Sequence, residues 1–377
     1  MKKIVTLCTL ILALAVSIMF TACPSSGGDT TEADNTAIAN AKTKIEEATF
    51  TAEQENVLNI VQAKAAVQAI IERLNLGGVT AAVVGGTFTG ARAGEANGTY
   101  PFTVELAKGT GIKQTTKRKT LVINATAVKA GLYTKSPVYI TSDDTPVFTF
   151  NKDAPNASYM LAVAFITDAA GIYTLYIDDD LTVATGGSPG FGCILYLIGL
   201  GKERTITLTS AGSLFTVDSG AALILGGNIT LKGFSANTSA LVKVDGGELR
   251  MRTGSAITGN TNTTSTGTQY GGGVFVNSGT FTMEGGEIKR NRAYNGGGVY
   301  MSGGILNMAG GTIYGSDASS GLWNTANVSG EGAALRRGTS SANAYRGILS
   351  DGTFTRRSEL PSSSESTIKV VNGELVP

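Results

Sequence analysis

The stretch Gly271-Gly272-Gly273-Val274-Phe275-Val276 opens a segment ending at Asn295, and Gly296-Gly297-Gly298-Val299-Tyr300-Met301 opens another ending at Ser320. Each is 25 residues long, and without gaps they share ten identical positions, including the triple glycine, Met283/Met308, Gly285-Gly286/Gly310-Gly311 and Ile288/Ile313. Self-similarity at a fixed period of this size points to one structural unit stacked upon the next. Every unit holds three short runs with apolar residues two apart. First-run pairs are Phe215/Val217, Val242/Val244, Val274/Val276 and Val299/Met301, and second-run pairs are Leu223/Leu225, Leu249/Met251, Phe281/Met283 and Leu306/Met308. The third run contributes Ile229/Leu231, then Ile257, Ile288 and Ile313. A period of two sends these side chains to one face and their neighbours to the other. Three strands per coil, turned at glycine pairs, would therefore pile Val/Phe, Leu/Phe/Met and Ile into three inward columns. From Val217 to Val244, Val276 and Met301 the spacings are 27, 32 and 25. The longest contains the polar run Thr261–Gly267, which reads as a loop projecting between coils. Asn260 and Asn291 each fall three residues after a third-run Ile and suit a stacked turn position.

Composition agrees with such a chain. There are 50 glycines in 377 residues, about twice the roughly 7% of average usage. Of these, 39 lie beyond residue 130, where corners need backbone that tolerates positive φ. With 30 basic against 29 acidic residues there is no electrostatic reason to expect nucleic acid as a partner. The complete lack of histidine excludes histidine-based triads and histidine metal sites.

Outward from the repeat, the amino end reads as an address. Met1-Lys2-Lys3 is a basic start, Ile4 to Phe20 is uncharged and apolar, and Phe20-Thr21-Ala22-Cys23 places small residues before a cysteine. It resembles the signal of bacterial lipoproteins, which implies removal of residues 1–22 and lipidation of Cys23. The membrane, through that N-terminal lipid, is then one partner. Pro24 and Ser25 after the cysteine, by the same resemblance, favour an outer-membrane location. Residues 23–33 form a tether. Residues 34–76 are expected to be helical, with one helix over about Asn35–Ala48 that carries Ile38, Ala41, Ile45 and Ala48 on one face. A second is expected from the capping box Thr51-Ala52-Glu53-Gln54, bearing the stripe Ile60, Ala63, Val67, Ile70, Leu74. Residues 77–130 read as a small antiparallel β module built on Ala82–Val84, Thr99–Leu106 and Thr120–Ile123. It resembles the short β-sandwich modules of bacterial surface proteins through its Gly-Thr-Tyr-x-Phe-Thr-Val run. Lys113 and Lys117-Arg118-Lys119 read as a solvated hairpin tip. Only Cys193 would remain in the mature chain, in an apolar run that suits an inert buried thiol.

The Gly-Gly-Gly-Val-x-Val and Met-x-Gly-Gly-x-Ile motifs resemble those of the pectin-lyase-like right-handed parallel β-helices of bacterial surface proteins. The resemblance implies a mostly-β chain with such a β-helix over residues 131–377, closed by a C-terminal cap that includes Thr367–Val371, Gly373 and Leu375, with Trp323 packed over the end of the coils. It specifies an architecture and hardly a chemistry. Asp178-Asp179-Asp180 cannot all face one ion from an extended strand, and Glu284 and Glu287 have Ala309 and Thr312 as repeat mates. No catalytic residue, metal site or cofactor is therefore expected. Binding is the expected role, through an outward column of Thr216, Lys243, Phe275 and Tyr300. Phe275 over Tyr300 would form an aromatic strip beside Arg290, Arg292 and Tyr294. The expected protein is a monomeric, exported, lipid-anchored, surface-exposed adhesin for a host protein or glycan. The alternatives are a polysaccharide-acting lyase or hydrolase on the same fold, and a passive structural or antigenic envelope protein.

Overall fold

The computed structural model describes residues 30–167, 169–262, 270–315, 321–326 and 332–337, with short pieces at 344–345, 349–350, 353–354, 368–371 and 374–376. Residues 1–22, Cys23 and most of the expected tether lie outside the described residues, as do Thr263–Gly267 of the polar run. The protein is mostly β, with 43% of residues in strands against 18% in helices. Its contacts divide it into two compact units. One takes in residues 30–48, 71–84 and 103–117, and the other 49–70, 85–102 and 118 onward.

In the first unit, helix α1 (Thr30–Glu47) buries Ile38, Ala41 and Ile45, three of the four residues of the expected stripe. Its polar side chains hold the chain beside it. Asp34 Oδ2 accepts from Thr110 N at 3.2 Å, Asn35 Oδ1 from Ile112 N at 2.7 Å, and Glu46 Oε1 from Lys117 N at 2.8 Å.

In the second unit, Thr51–Glu53 does not cap a helix but forms strand β1, and helix α2 (Ile60–Arg73) starts eight residues later than that motif implied. Asn59 is the cap: its Oδ1 accepts from Val61 N and Gln62 N, both at 3.0 Å, while Gln62 Oε1 accepts from Leu58 N at 2.8 Å. Asn59 thus caps the first turn, and Gln62, three residues on, reaches back past it to the preceding residue. Ala63, Val67 and Ile71 are its buried positions, whereas Ile60 is 49% exposed, so the buried stripe is rotated from the expected one.

Strands β2 (Thr80–Gly85), β3 (Gly98–Ala107), β4 (Gln114–Thr115) and β5 (Lys119–Asn124) follow. The first half of β3 pairs antiparallel with β5, and its second half with β4. β1 runs parallel to β5, Thr51 opposite Val122, so the expected purely antiparallel module is a mixed sheet. The parallel strand comes from the segment assigned to a helix start. Phe50 packs edge-on to Phe102 at 4.8 Å, and Lys119 Nζ lies 6.0 Å from the Phe50 ring.

Residues 131–167 are not coils. β6 (Gly131–Tyr133) and β7 (Phe148–Thr149) pair antiparallel, and helix α3 (Pro155–Thr167) was not anticipated. Its sequence is apolar all round and so has no stripe to read. It buries Tyr159, Ala162, Val163 and Ile166 in the large core.

From there the pairing is parallel in three columns. β12 (Phe215–Asp218), the start of β15 (Val242–Met251), the start of β17 (Val274–Lys289), β19 (Val299–Met301) and β22 (Leu335–Arg337) stack in register, with Phe215, Val242, Val274, Val299 and Leu335 opposite one another. A second column joins β8 (Gly171–Ile177), β10 (Cys193–Gly199), β13 (Ala222–Leu225), β15, β17 and β20 (Ile305–Ile313). Here Tyr173, Leu195, Leu223, Leu249, Phe281 and Leu306 align. In the third, formed by β9 (Leu181–Val183), β11 (Arg204–Leu208), β14 (Ile229–Lys232), β16 (Ser255–Thr258) and the ends of β17 and β20, Leu181, Ile206, Leu231, Ile257, Ile288 and Ile313 align. All of these residues belong to one core cluster. The inward assignments read from period two therefore hold in every run.

Two positions in the triple glycine explain it. Gly271 and Gly296 have φ of +76° and +63°, the left-handed region that other residues avoid. Gly272 and Gly297 lie so close to the next layer that a Cβ would meet Gly297 O and Thr325 O at 2.2 and 2.5 Å. At one corner Asn237, Asn260, Asn291 and Asn324 stack, all fully buried. Asn237 Nδ2 donates to Asn260 Oδ1 at 2.8 Å, Asn260 N to Asn291 Oδ1 at 3.1 Å, and Asn291 N to Asn324 Oδ1 at 2.8 Å. The expected pair Asn260/Asn291 is thus the middle of a four-residue ladder that satisfies the buried backbone of the turns. Near the carboxyl end pairing becomes antiparallel, as between Ile368–Val371 and Glu374–Val376.

Candidate functional site

The outward residues of the first column fall in register as Thr216, Lys243, Phe275 and Tyr300, extended by Arg336. They do not form an open aromatic strip. Tyr300 is 2% exposed because Tyr270 lies flat on it, ring centroids 4.0 Å apart and 16° from parallel. Phe275 remains half-buried, 5.9 Å from the Tyr300 ring and 6.2 Å from that of Tyr270. Burial pushes the Tyr300 phenol up to about 12; Tyr270 adds to the shift and the Arg336 charge opposes it. Sequence reading missed Tyr270. The available signal was position, because Tyr270 and Asn295 each precede a triple glycine and are bridged in the structure.

Arg290, Arg292 and Tyr294 lie at the corner after the third strand. Arg290 has left-handed backbone (φ +57°), its Nε donates to Gly321 O at 3.0 Å, and its N donates to Leu322 O at 3.2 Å. Arg292 is exposed and begins the short strand β18 (Arg292–Ala293), which pairs with β21 (Thr325–Ala326). Tyr294 is half-buried. The ring cluster takes its neighbours from Tyr270 and Arg336, and Arg290 is tied to the following turn. The expected arginine-flanked strip is therefore replaced by a covered one. Trp323, expected to pack over the end, is 46% exposed.

Beside the ring cluster runs a groove of about 270 Å3 lined by Ser213, Thr238, Ser239, Ala240, Lys243, Asn262, Tyr270 and Phe275. Its one cation is committed: Lys243 Nζ lies 2.7 Å from Asp245 Oδ2. Asn277 Nδ2 donates to Asp245 Oδ1 at 2.8 Å. Asn277 and then Lys243 hold the Asp245 carboxyl below its usual range. Ser213 Oγ donates to Ala240 O at 2.8 Å, so its hydroxyl proton is committed to the backbone. Asn262 is 4% exposed; its Nδ2 donates to Gly271 O at 3.4 Å, and its Oδ1 is buried with no hydrogen-bond partner.

Of the carboxylates considered for catalysis, Glu284 and Glu287 are held in ion pairs. Glu284 pairs with Arg250 at 3.2 Å and Arg252 at 3.4 Å, and Arg252 also lies over the Tyr196 ring at 5.4 Å. Glu287 pairs with Lys289 and accepts from Tyr314 Oη at 2.9 Å. Burial raises the Glu287 carboxyl, but these two partners outweigh it and leave the group below its ordinary range, the wrong direction for a general acid. Glu287 lines a second groove of about 380 Å3 with Glu203, Thr230, Ser255, Lys289 and Thr312. Asp180 Oδ1 accepts from Thr205 N at 2.9 Å, a tie to the strand of the next layer, while Asp179 and Asp180 are exposed. Among the described residues no three potential metal ligands cluster. Cys193 is fully buried, and burial pushes its thiol up to about 11. No helix among the described residues is long and apolar enough to cross a membrane. Comparison with known protein families, curated proteins and solved structures found no match.

Proposed function

We propose that this chain is a bacterial lipoprotein, exported, anchored to the outer membrane through Cys23 and displayed at the cell surface. Its three parallel columns are the faces of a right-handed parallel β-helix of the pectin-lyase-like kind, used as a non-catalytic binding scaffold. The observation that carries this reading is the groove at Phe275. It is a concave, mixed apolar and hydroxyl-lined surface on a rigid stacked core, where preorganised side chains cost little entropy on binding. Asp245, Glu284 and Glu287 are held in ion pairs, which leaves them poorly suited to proton transfer. A host protein or a glycan is the partner class.

The anchor is tested by metabolic labelling with a lipid analogue: wild type takes up label and Cys23→Ser does not. Display and binding are tested by protease treatment of intact cells, then by capture of the full chain on immobilised matrix proteins and glycans. A protein shielded from protease that adheres to neither kind of surface removes the proposal.

A further inference from the structure

Building on the lipid-anchor reading, we infer that the tip of the β3–β4 hairpin, residues 108–113, is a second membrane contact, with the Ile112 side chain entering the bilayer interface near the anchored Cys23. Ile112 is 70% exposed, at a hairpin tip where small and polar residues are the rule. It is also held in place. Its N donates to Asn35 Oδ1 at 2.7 Å, Thr110 N donates to Asp34 Oδ2 at 3.2 Å, and the hydroxyls of Thr110 and Thr31 lie 3.1 Å apart. Two glycines permit this approach to α1. Gly109 has a φ of +46°, and a Cβ on Gly111 would meet Ile38 Cδ1 at 2.9 Å. The first unit thus fixes an apolar side chain outward, in water, at one chosen place.

That place identifies the occupant. The tip is bonded to the first two turns of α1 through Thr31, Asp34 and Asn35, and α1 begins at Thr30, seven residues after Cys23. Seven residues reach at most about 25 Å when fully extended. With acyl chains on Cys23 in the bilayer, the start of α1 and the tip bonded to it stay close to the lipid surface. The far end of the helix, at Glu47, lies about 25 Å further along its axis. The tether makes insertion of Ile112 an intramolecular event, so one apolar side chain is enough to orient a chain that the acyl groups already retain. A second copy fits poorly, because a single exposed side chain falls far below the roughly 800 Å2 per partner of a stable interface. Charge adds little: Lys108 and Lys113 are matched by Glu32 and Asp34, and Lys108 Nζ donates to Gly77 O at 2.8 Å. The contact is therefore apolar and indifferent to anionic lipid.

The test uses the mature lipidated chain in vesicles of phosphatidylcholine, alone or mixed with phosphatidylglycerol. Lys113→Cys, and Glu47→Cys as the distant control, each carry an environment-sensitive fluorophore, while the native Cys193 is fully buried and stays unlabelled. Positions 47, 112 and 113 are exposed, so substitution there leaves the core untouched. Spin-labelled lipid is expected to quench the probe at position 113 and not at 47, equally in both kinds of vesicle. Adding Ile112→Glu to the labelled Lys113→Cys chain lowers the inserted fraction about tenfold, the scale of one apolar side chain withdrawn from the interface. Equal exposure of the two probes, quenching that survives Ile112→Glu, or quenching confined to anionic vesicles overturns the inference. A probe at 113 that is shielded but not quenched reports a protein contact and overturns it as well. In each of these cases acyl mass on Cys23 leaves the anchor reading standing. A Cys23 without acyl chains removes the anchor reading and this inference with it.

Discussion

The Tyr270 ring lies against that of Tyr300 at 4.0 Å and 16°, and this stack takes Tyr300 out of solvent although its backbone position faces away from the core. Outward direction and exposure are separate properties here. Tyr300→Ala is expected to lower stability by about 3–5 kcal/mol, as for deletion of a large buried ring. Phe275→Ala, at a half-buried position, should cost about 1 kcal/mol. Urea denaturation of both variants measures the difference; equal effects would show that Tyr300 is not covered.

Alkaline stability follows from the same residue. A phenol raised from 10.0 to about 12 in the folded protein stays protonated while its unfolded counterpart ionises. Its stabilising contribution is complete below pH 10 and is lost as pH climbs to about 12. Burial raises Tyr159 and Tyr176 further in the same direction. Phenolate absorbance should therefore lag in the native protein and appear together with unfolding. A smooth titration of every tyrosine before unfolding contradicts this.

Asn291 stands in the middle of the ladder. Its Nδ2 donates to Ile257 O at 3.0 Å and its Oδ1 accepts from Asn260 N at 3.1 Å. Asn291→Ala leaves these two buried backbone groups without partners and should destabilise by about 2–6 kcal/mol, at about 1–3 kcal/mol for each orphan. Chemical denaturation gives the number, and a loss under 1 kcal/mol would mean that water replaces the amide.

Gly297→Ala tests the close approach between layers. A methyl group there would sit 2.5 Å from Thr325 O, backbone that cannot step aside. Gly201→Ala is the contrast, since a Cβ there meets nothing within 4 Å, although its φ of +74° still disfavours alanine. The melting temperature should fall several degrees further for Gly297→Ala.

Cys193 is fully buried with its thiol raised to about 11, so alkylation at mildly alkaline pH should wait for unfolding. Mass spectrometry of native and denatured samples reads this directly. Rapid native labelling would place the thiol at the surface.

What could be read from the chain was what repeats. Val274/Val276 and Val299/Met301 disclose their inward faces because a period of two, multiplied over several units, leaves one consistent register. Helix α3 could not be read in this way, since an apolar segment without a stripe carries no period. The capping box at Thr51 misled for a different reason. The four-residue pattern is short, and pairing of β1 with β5, about 70 residues away, outweighed it.

The linear order of residues was thus enough to decide that the chain is mostly β, and to place the three apolar columns and the glycine corners, because these depend on local backbone geometry and nearest-layer stacking. Contacts between segments decided the rest: that Tyr270 covers Tyr300, that Glu284 and Glu287 are tied up by Arg250, Arg252 and Lys289, and that a groove opens beside Phe275. Side-chain exposure depends on what lies overhead, and a repeat's period carries no record of that.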